Sequence, residues 1–152
     1  MSNDLSIKIY TDGACLGNPG PGGWGAILLY KEHRKEISGN ERDSTNNRME
    51  IRAVIEALKV IKKTSEIAIY TDSKYVLEGI TKWIFGWKKN GWRTADKKPI
   101  KNLELWQELD QEVGRHKIEW IWVKGHSGNH FNDLVDDLAR NAAEKIKYTK
   151  AT

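Results

Sequence analysis

The residues with the clearest chemical potential are carboxylates at fixed places. Asp12 follows Tyr10-Thr11, Asp72 follows Tyr70-Thr71, and Glu50 closes the segment Thr45-Asn46-Asn47-Arg48-Met49-Glu50. The first two belong to an internal echo, Ile7-Lys8-Ile9-Tyr10-Thr11-Asp12-Gly13 against Ile67-Ala68-Ile69-Tyr70-Thr71-Asp72-Ser73. A lone aspartate at a strand end is ordinarily a solvated cap. Several carboxylates within a few ångströms of one another repel, and either share protons or bind divalent cations. All-oxygen donors without cysteine favour Mg²⁺ or Mn²⁺ over zinc. Cys15 is the only cysteine, which excludes an internal disulfide and fits a reducing compartment.

The surrounding pattern says which elements must bring these groups together. Leu5–Tyr10 alternates as a strand ending near Asp12, Gly17–Gly23 reads as a turn, and Trp24–Tyr30 and Lys35–Asn40 read as further strands. From Asn46 to Lys63 the period changes to helical, with Ile51, Val54, Ile55, Leu58 and Ile61 on one stripe. Glu66–Thr71 is a strand, and Ser73 caps a helix running to Trp83–Phe85. Leu103–Val113 is a helix, Ile118–Val123 a strand and Asn132–Lys147 a last helix. With no Ser/Pro-rich linker, the expectation is one α/β domain over 1–152, a mixed sheet with helices packed against it.

If the strands ending at Asp12 and Asp72 are parallel, the helix between them runs antiparallel to both, and its first turns lie at the edge where the aspartates emerge. Glu50 is in those turns, bordering the apolar stripe. On the last helix, Asp136 lies roughly 100° from the centre of the stripe, whereas Asp133 and Asp137 lie roughly 160° away, so Asp136 is the one able to lean inward.

Net charge is only +4, but Lys82–Lys101 holds seven cations against Asp96. This segment carries +6, leaving −2 on the rest, and contains three of the seven tryptophans. That excludes a uniformly basic packaging protein and points to a local polyanion contact. Trp83 and Trp87, four apart on a helix face, either pack in the core or stack on sugar or base beside Lys88 and Lys89. Trp106 is expected in the core, as are Trp120 and Trp122 in a strand buried on both faces. Gly20-Pro21-Gly22-Gly23-Trp24-Gly25 has dinucleotide-fingerprint spacing, but a strand rather than a helix follows it, so it reads as a turn. His126 and His130 are four apart, yet Gly125 and Gly128 argue against a helix. His126 is instead expected on a loop, either simply exposed or able to carry a proton over the site. The longest apolar run, Ala26–Tyr30, cannot span a membrane, and Met1–Asp4 is polar without a secretory apolar core, so a cytoplasmic protein is expected.

In order and at matching spacing, several blocks resemble the bacterial type 1 ribonuclease H family over nearly the whole chain. They are Thr11–Gly23, Thr45–Glu50, Thr71-Asp72-Ser73, Trp87–Thr94, Trp122–His126 and Asp136–Ala139. The resemblance implies a five-stranded mixed sheet with helices on both faces, and hydrolysis of the RNA strand of an RNA·DNA hybrid. Two divalent ions roughly 4 Å apart would serve the reaction, Mg²⁺ with Mn²⁺ as the variant. Asp12, Glu50, Asp72 and Asp136 would hold them, Asp12 bridging both, and His126 would assist product release. Cys15, Asn18 and Asn47 would lie along the minor groove near the RNA strand. Trp83, Trp87, Thr45 and Asn102 would follow the DNA strand, the last two at a phosphate, and the island about 82–101, with Lys88 and Lys89, would grip it.

The chain departs from the family pattern at Lys74, where glutamine is frequent, and at Ser127–Phe131, which lacks the usual proline or glutamate. No additional hybrid-binding domain is expected before Leu5, and the protein is expected to be a monomer. The competing readings are a catalytically silent nucleic-acid-binding module using only the island, and an integrase- or resolvase-type metal nuclease on the same fold.

Overall fold

Alternating and helical periods divide the chain into two interleaved kinds of element, and a computed structural model, describing residues 6–125 and 128–149, shows how they stack. The strands are β1 (Ile7–Cys15), β2 (Gly20–Tyr30), β3 (His33–Ser44), β4 (Glu66–Thr71) and β5 (Lys117–Trp122). They form one mixed sheet in the order β3-β2-β1-β4-β5. β1–β2 and β2–β3 are antiparallel, whereas β1–β4 and β4–β5 are parallel. The helices are α1 (Asn46–Val60), α2 (Lys74–Glu78), α3 (Ile84–Lys89), α4 (Leu103–Val113) and α5 (His130–Thr149).

Neighbouring residues of a strand face opposite sides of its sheet, and β1 uses both. Ile9 joins the main core with Ile51, Val54, Ile55 and Leu58 of α1 and Leu105, Trp106 and Leu109 of α4. Tyr10 joins a second cluster with Ile27 and Val135, under α5. Helices therefore cover both faces of the sheet. The segment from α2 to α3 is a single winding interrupted by a π-turn, Gly79–Trp83. Gly79 lies flat against Trp106, where a Cβ would come within 2.0 Å of the ring. The wider turn keeps Val76, Ile80 and Ile84 buried at four-residue steps.

The sequence boundaries shift in informative ways. β1 runs through Asp12 to Cys15, and β2 begins at Gly20, so most of the glycine-rich stretch is strand and not turn. No helix opens after Gly25, as the rejection of the dinucleotide reading requires. The expected helix after Ser73 extends past Phe85 to Lys89. One core assignment is overturned. Trp120 is half-buried against the main core, but Trp122 is 46% exposed. β5 is an edge strand, and Trp122, its last residue, pairs with Thr71 and so shares the Ile9–Ile69–Trp120 face, the one opposite α5. Lys74 covers part of the Trp122 ring, with Nζ 5.0 Å from its centroid.

The two tryptophans should thus differ sharply in stability assays. Trp106→Ala, at 0% exposure, is expected to cost about 3–5 kcal/mol. Trp122→Ala should cost under about 1.5 kcal/mol, the scale of a partly exposed cation–π contact plus surface area. Urea midpoints at constant slope measure both, and equal losses would contradict this layering.

Candidate active site

Parallel register brings the first two carboxylates together. Tyr10 of β1 pairs with Tyr70 of β4, so the strands deliver Asp12 and Asp72 at the same level of the sheet. Gly13 lets the start of α1 approach: a Cβ there would lie 2.5 Å from the Glu50 backbone nitrogen. α1 is started by Thr45, whose Oγ1 accepts a hydrogen bond from the Arg48 N–H at 3.2 Å. Its second turn therefore presents Glu50 beside Asp12 and Asp72. One oxygen from each of the three carboxylates lies within 4.8 Å of the others. Asp136, from α5, lines the same open cleft with Cys15, Asn46 and Arg140.

Concentrating acid here has a measurable consequence. Asp12 is 5% exposed. Burial, then repulsion from Asp72, then its hydrogen bond with Asp136 push its pKa up to about 8, against a smaller opposing contribution from the Gly13 N–H. Burial and the charges of Asp12 and Asp72 likewise push Glu50 well above the ordinary carboxylate range. The Glu50 Oε2 atom is buried and has no hydrogen-bond partner among the described residues. An orphaned carboxyl oxygen within an all-oxygen donor set suits a hard divalent cation.

The other residues singled out in the sequence occupy three places. Cys15 is half-buried in the cleft, its thiol donating to the Ser44 and Gly20 carbonyls at 3.3 and 3.4 Å. Asn18 Oδ1 accepts from the Asn46 N–H at 3.2 Å, and Asn47 is exposed on the first turn of α1. Asn102, in left-handed backbone at φ 61°, accepts from Arg48 Nη1 at 3.4 Å and donates to the Tyr75 hydroxyl at 3.1 Å. Arg48 thus ties the Thr45 cap to Asn102 across α1 and α4. Trp83 is 38% exposed, and Trp87 is half-buried with its ring 6.1 Å from that of Trp83 and 5.4 Å from that of Trp106. Lys88 pairs with Asp110 at 3.2 Å, and Lys89 is exposed. His126 lies outside the described residues.

Two participants were not singled out in the sequence. Arg140 pairs with Asp136, Nε to Oδ2 at 3.2 Å, and also with Asp137. The four-residue spacing of Asp136 and Arg140 was a legible signal for that pair. No comparable local spacing connects Arg48 to Asn102, fifty-four positions away.

The mixed sheet, with helices on both faces and a carboxylate cleft at the ends of its central strands, defines an α/β protein built around an acidic site. A family model described as RNase H matches residues 4–144, and the chain belongs to the ribonuclease H family. It is 56% identical over 147 residues to the ribonuclease H of Dechloromonas aromatica (strain RCB), covering 97% of this chain and 99% of that one. With the ribonuclease H of Agrobacterium fabrum (strain C58 / ATCC 33970) it shares 60% identity over 141 residues, 93% of this chain and 97% of the relative. The crystal structure of LC9-RNase H1, a type 1 RNase H with the type 2 active-site motif, matches with a TM-score of 0.85 and 37% identity. That match covers 93% of this chain and 73% of the other. The protein is accordingly an enzyme, a hydrolase of the nuclease type.

The raised carboxyl groups predict a direction for stability against pH. A pKa above its unfolded value favours the protonated folded state, so the contribution is complete below about pH 4 and is lost as pH rises through about 8. In EDTA, Asp12→Asn should therefore raise the melting temperature at pH 8.5 by about 5–10 °C. Near pH 5 the gain should be much smaller. Mg²⁺ should stabilise the parent protein more than the variant. Calorimetry over pH 5–9 measures this, and a variant no more stable than its parent at pH 8.5 would refute the buried repulsion.

Proposed function

We propose that this enzyme hydrolyses the RNA strand of RNA·DNA hybrids with two divalent ions, Mg²⁺ or alternatively Mn²⁺. The supporting observation is the tight set of Asp12, Glu50 and Asp72 oxygens, one of them buried without a hydrogen-bond donor. The ions would be held by these three residues and Asp136. When bound, they would supply a water of lowered pKa and charge stabilisation for the leaving 3′ oxygen.

The chain's own residues divide the remaining work. Asp12 carries the most central charge, in contact with Glu50 and Asp136 and repelled by Asp72. Asp136 stands on α5 at the cleft margin, where Arg140 orients its carboxylate. His126, on the sequence between β5 and α5, would carry a proton as product leaves. Cys15, Asn18 and Asn47 would face the RNA strand, with 2′-hydroxyl contacts separating RNA from DNA. Thr45 and Asn102, joined through Arg48, would receive a phosphate of the DNA strand. Trp83 and Trp87 would lie against its sugars, with Lys88, Lys89 and the rest of the island supplying charge to phosphates. The exposed pair Lys88–Asp110 is weak enough to exchange for a phosphate contact. Every residue in this scheme comes from one chain, and we assign the protein as a single-domain monomer. Its lone cysteine fits our assignment to the cytoplasm.

Labelled hybrid, duplex RNA and duplex DNA, each incubated with Mg²⁺ and then with EDTA, test the reading. Cleavage should be confined to the RNA of the hybrid and vanish in EDTA; cutting of duplex DNA, or activity surviving EDTA, would overturn it. Asp12→Asn should abolish cleavage while hybrid binding remains measurable. Neutralising Lys88, Lys89, Lys97 and Lys98 together should weaken binding and reduce the salt slope by up to about 3.6, near 0.9 per lost phosphate contact. An unchanged slope would remove the island from the substrate path.

A further inference from the structure

Four large apolar side chains stand exposed among the described residues: Tyr30, Trp83, Phe85 and Trp122. Three have a partner for their ring. Lys31 lies over Tyr30, Lys74 over Trp122, and Trp83 packs with Tyr75 and Trp87. Phe85 is the most exposed at 63%, and among the described residues it has neither a ring nor a cation contact. Its position follows from the helix. The π-turn Gly79–Trp83 keeps Ile84 buried, and the next residue, about 100° further round, must point away from the core.

The surface around that ring is cationic and low. Lys82 and Lys89, three before and four after Phe85, are its neighbours on the helix face, and both are exposed. Gly86 follows it. Glycine weakens a helix interior, yet crowding does not require it here, because a Cβ at Gly86 would meet nothing within 4 Å. Trp83, two residues from Phe85, lies on the opposite side of the helix, so this face is separate from the tryptophan pair assigned above to the hybrid. An open aromatic ring between lysines, with bare backbone beside it, combines the two features that bind single-stranded nucleic acid: a face for base stacking and cations for the backbone.

We propose that Phe85, with Lys82 and Lys89, forms a second nucleic-acid contact that takes a single-stranded extension continuing from the hybrid. The idea rests on the nucleic-acid reading above, shares Lys82 and Lys89 with it, and adds the Phe85 ring on the side of the helix away from the tryptophan pair and a different form of the ligand. It implies that hybrids flanked by single strands are held more tightly than blunt ones.

The test compares a blunt hybrid with the same hybrid carrying a single-stranded DNA extension at either end, with dissociation constants measured in EDTA. Binding is thereby read whether or not the hybrid can be cut, and blunt-hybrid cleavage in Mg²⁺ is assayed separately as the check on the catalytic reading. The extension should tighten binding by the parent protein about five- to tenfold. Phe85→Ala should erase that gain to within about twofold, Phe85→Trp should keep it, and blunt-hybrid affinity should be unchanged in both. A 5-iodouracil-containing extension should photocrosslink to Phe85, mapped by mass spectrometry. The proposal is overturned if the extension brings no gain, if Phe85→Ala retains it, or if crosslinks fall only on Trp83 or Trp87. A dimer seen in sedimentation and lost in Phe85→Ala would assign the face to self-association and overturn it equally.

Discussion

Mutual repulsion among buried carboxylates is the constraint around which the rest of the molecule is arranged. Asp12, Glu50 and Asp72 come from three different elements, and their oxygens meet within 4.8 Å although nothing in the local chain forces them together. Such a cluster opposes folding, and only elements anchored elsewhere can hold it closed. The anchors are apolar. α1 buries Met49, Ile51, Ala53, Val54, Ile55, Ala57 and Leu58, an unbroken grip that leaves its first turns no freedom to withdraw Glu50. Gly13 then removes the one side chain that would keep α1 off β1.

The fourth carboxylate depends on the other face of the sheet. Tyr10 stacks on Tyr70 at 4.4 Å and meets Phe131 at 5.2 Å, fastening the first turn of α5 to β1 and β4. Asn129 reinforces this: its side chain bonds the Tyr10 hydroxyl and accepts from the Asn132 N–H at 3.0 Å. Tyr10 is two residues before Asp12 and Asn129 is seven before Asp136. The aromatic cluster therefore sets the spacing of the two carboxylates from beneath the cleft, without touching either. Sheet alternation makes this possible, because Tyr10 and Asp12 share one face while Ile9 and Thr11 occupy the other.

This division explains what sequence could reveal. Asp12, Glu50 and Asp72 were legible because a strand echo and a crossover helix are local patterns whose geometry is nearly obligatory. Asp136 was separable from Asp133 and Asp137 because its angle to the α5 stripe is a property of the helix alone; it lines the cleft while Asp137 is 58% exposed. Trp122 was misread because alternation reports that a strand has two faces, not which neighbours cover them, and the end of the edge strand β5 extends past the cover that half-buries Trp120. The π-turn was invisible for a similar reason. It arises where Gly79 lies flat on Trp106, a contact between residues far apart in the chain. The Arg48 link from Thr45 to Asn102 is likewise tertiary, and no spacing rule reaches across it.

Charge is partitioned for the same physical reason. A cleft of carboxylates repels phosphate, and the chain's largest concentration of cations lies away from it. The +6 island lies apart from the carboxylates, on the end of the α2–α3 winding and the turns that follow it, tied down through Trp87 and Trp106. Only Lys88 and Lys98 of the island form ion pairs among the described residues, and their partners, Asp110 and Asp96, are not the cleft carboxylates. Within the cleft Arg140 plays the opposite part, a single cation held against Asp136 and Asp137. Keeping the two signs apart leaves the island's charge to act over a screened, long range and leaves the acids a donor set that could hold a divalent cation. The two functions can then be tuned by different residues on one small sheet.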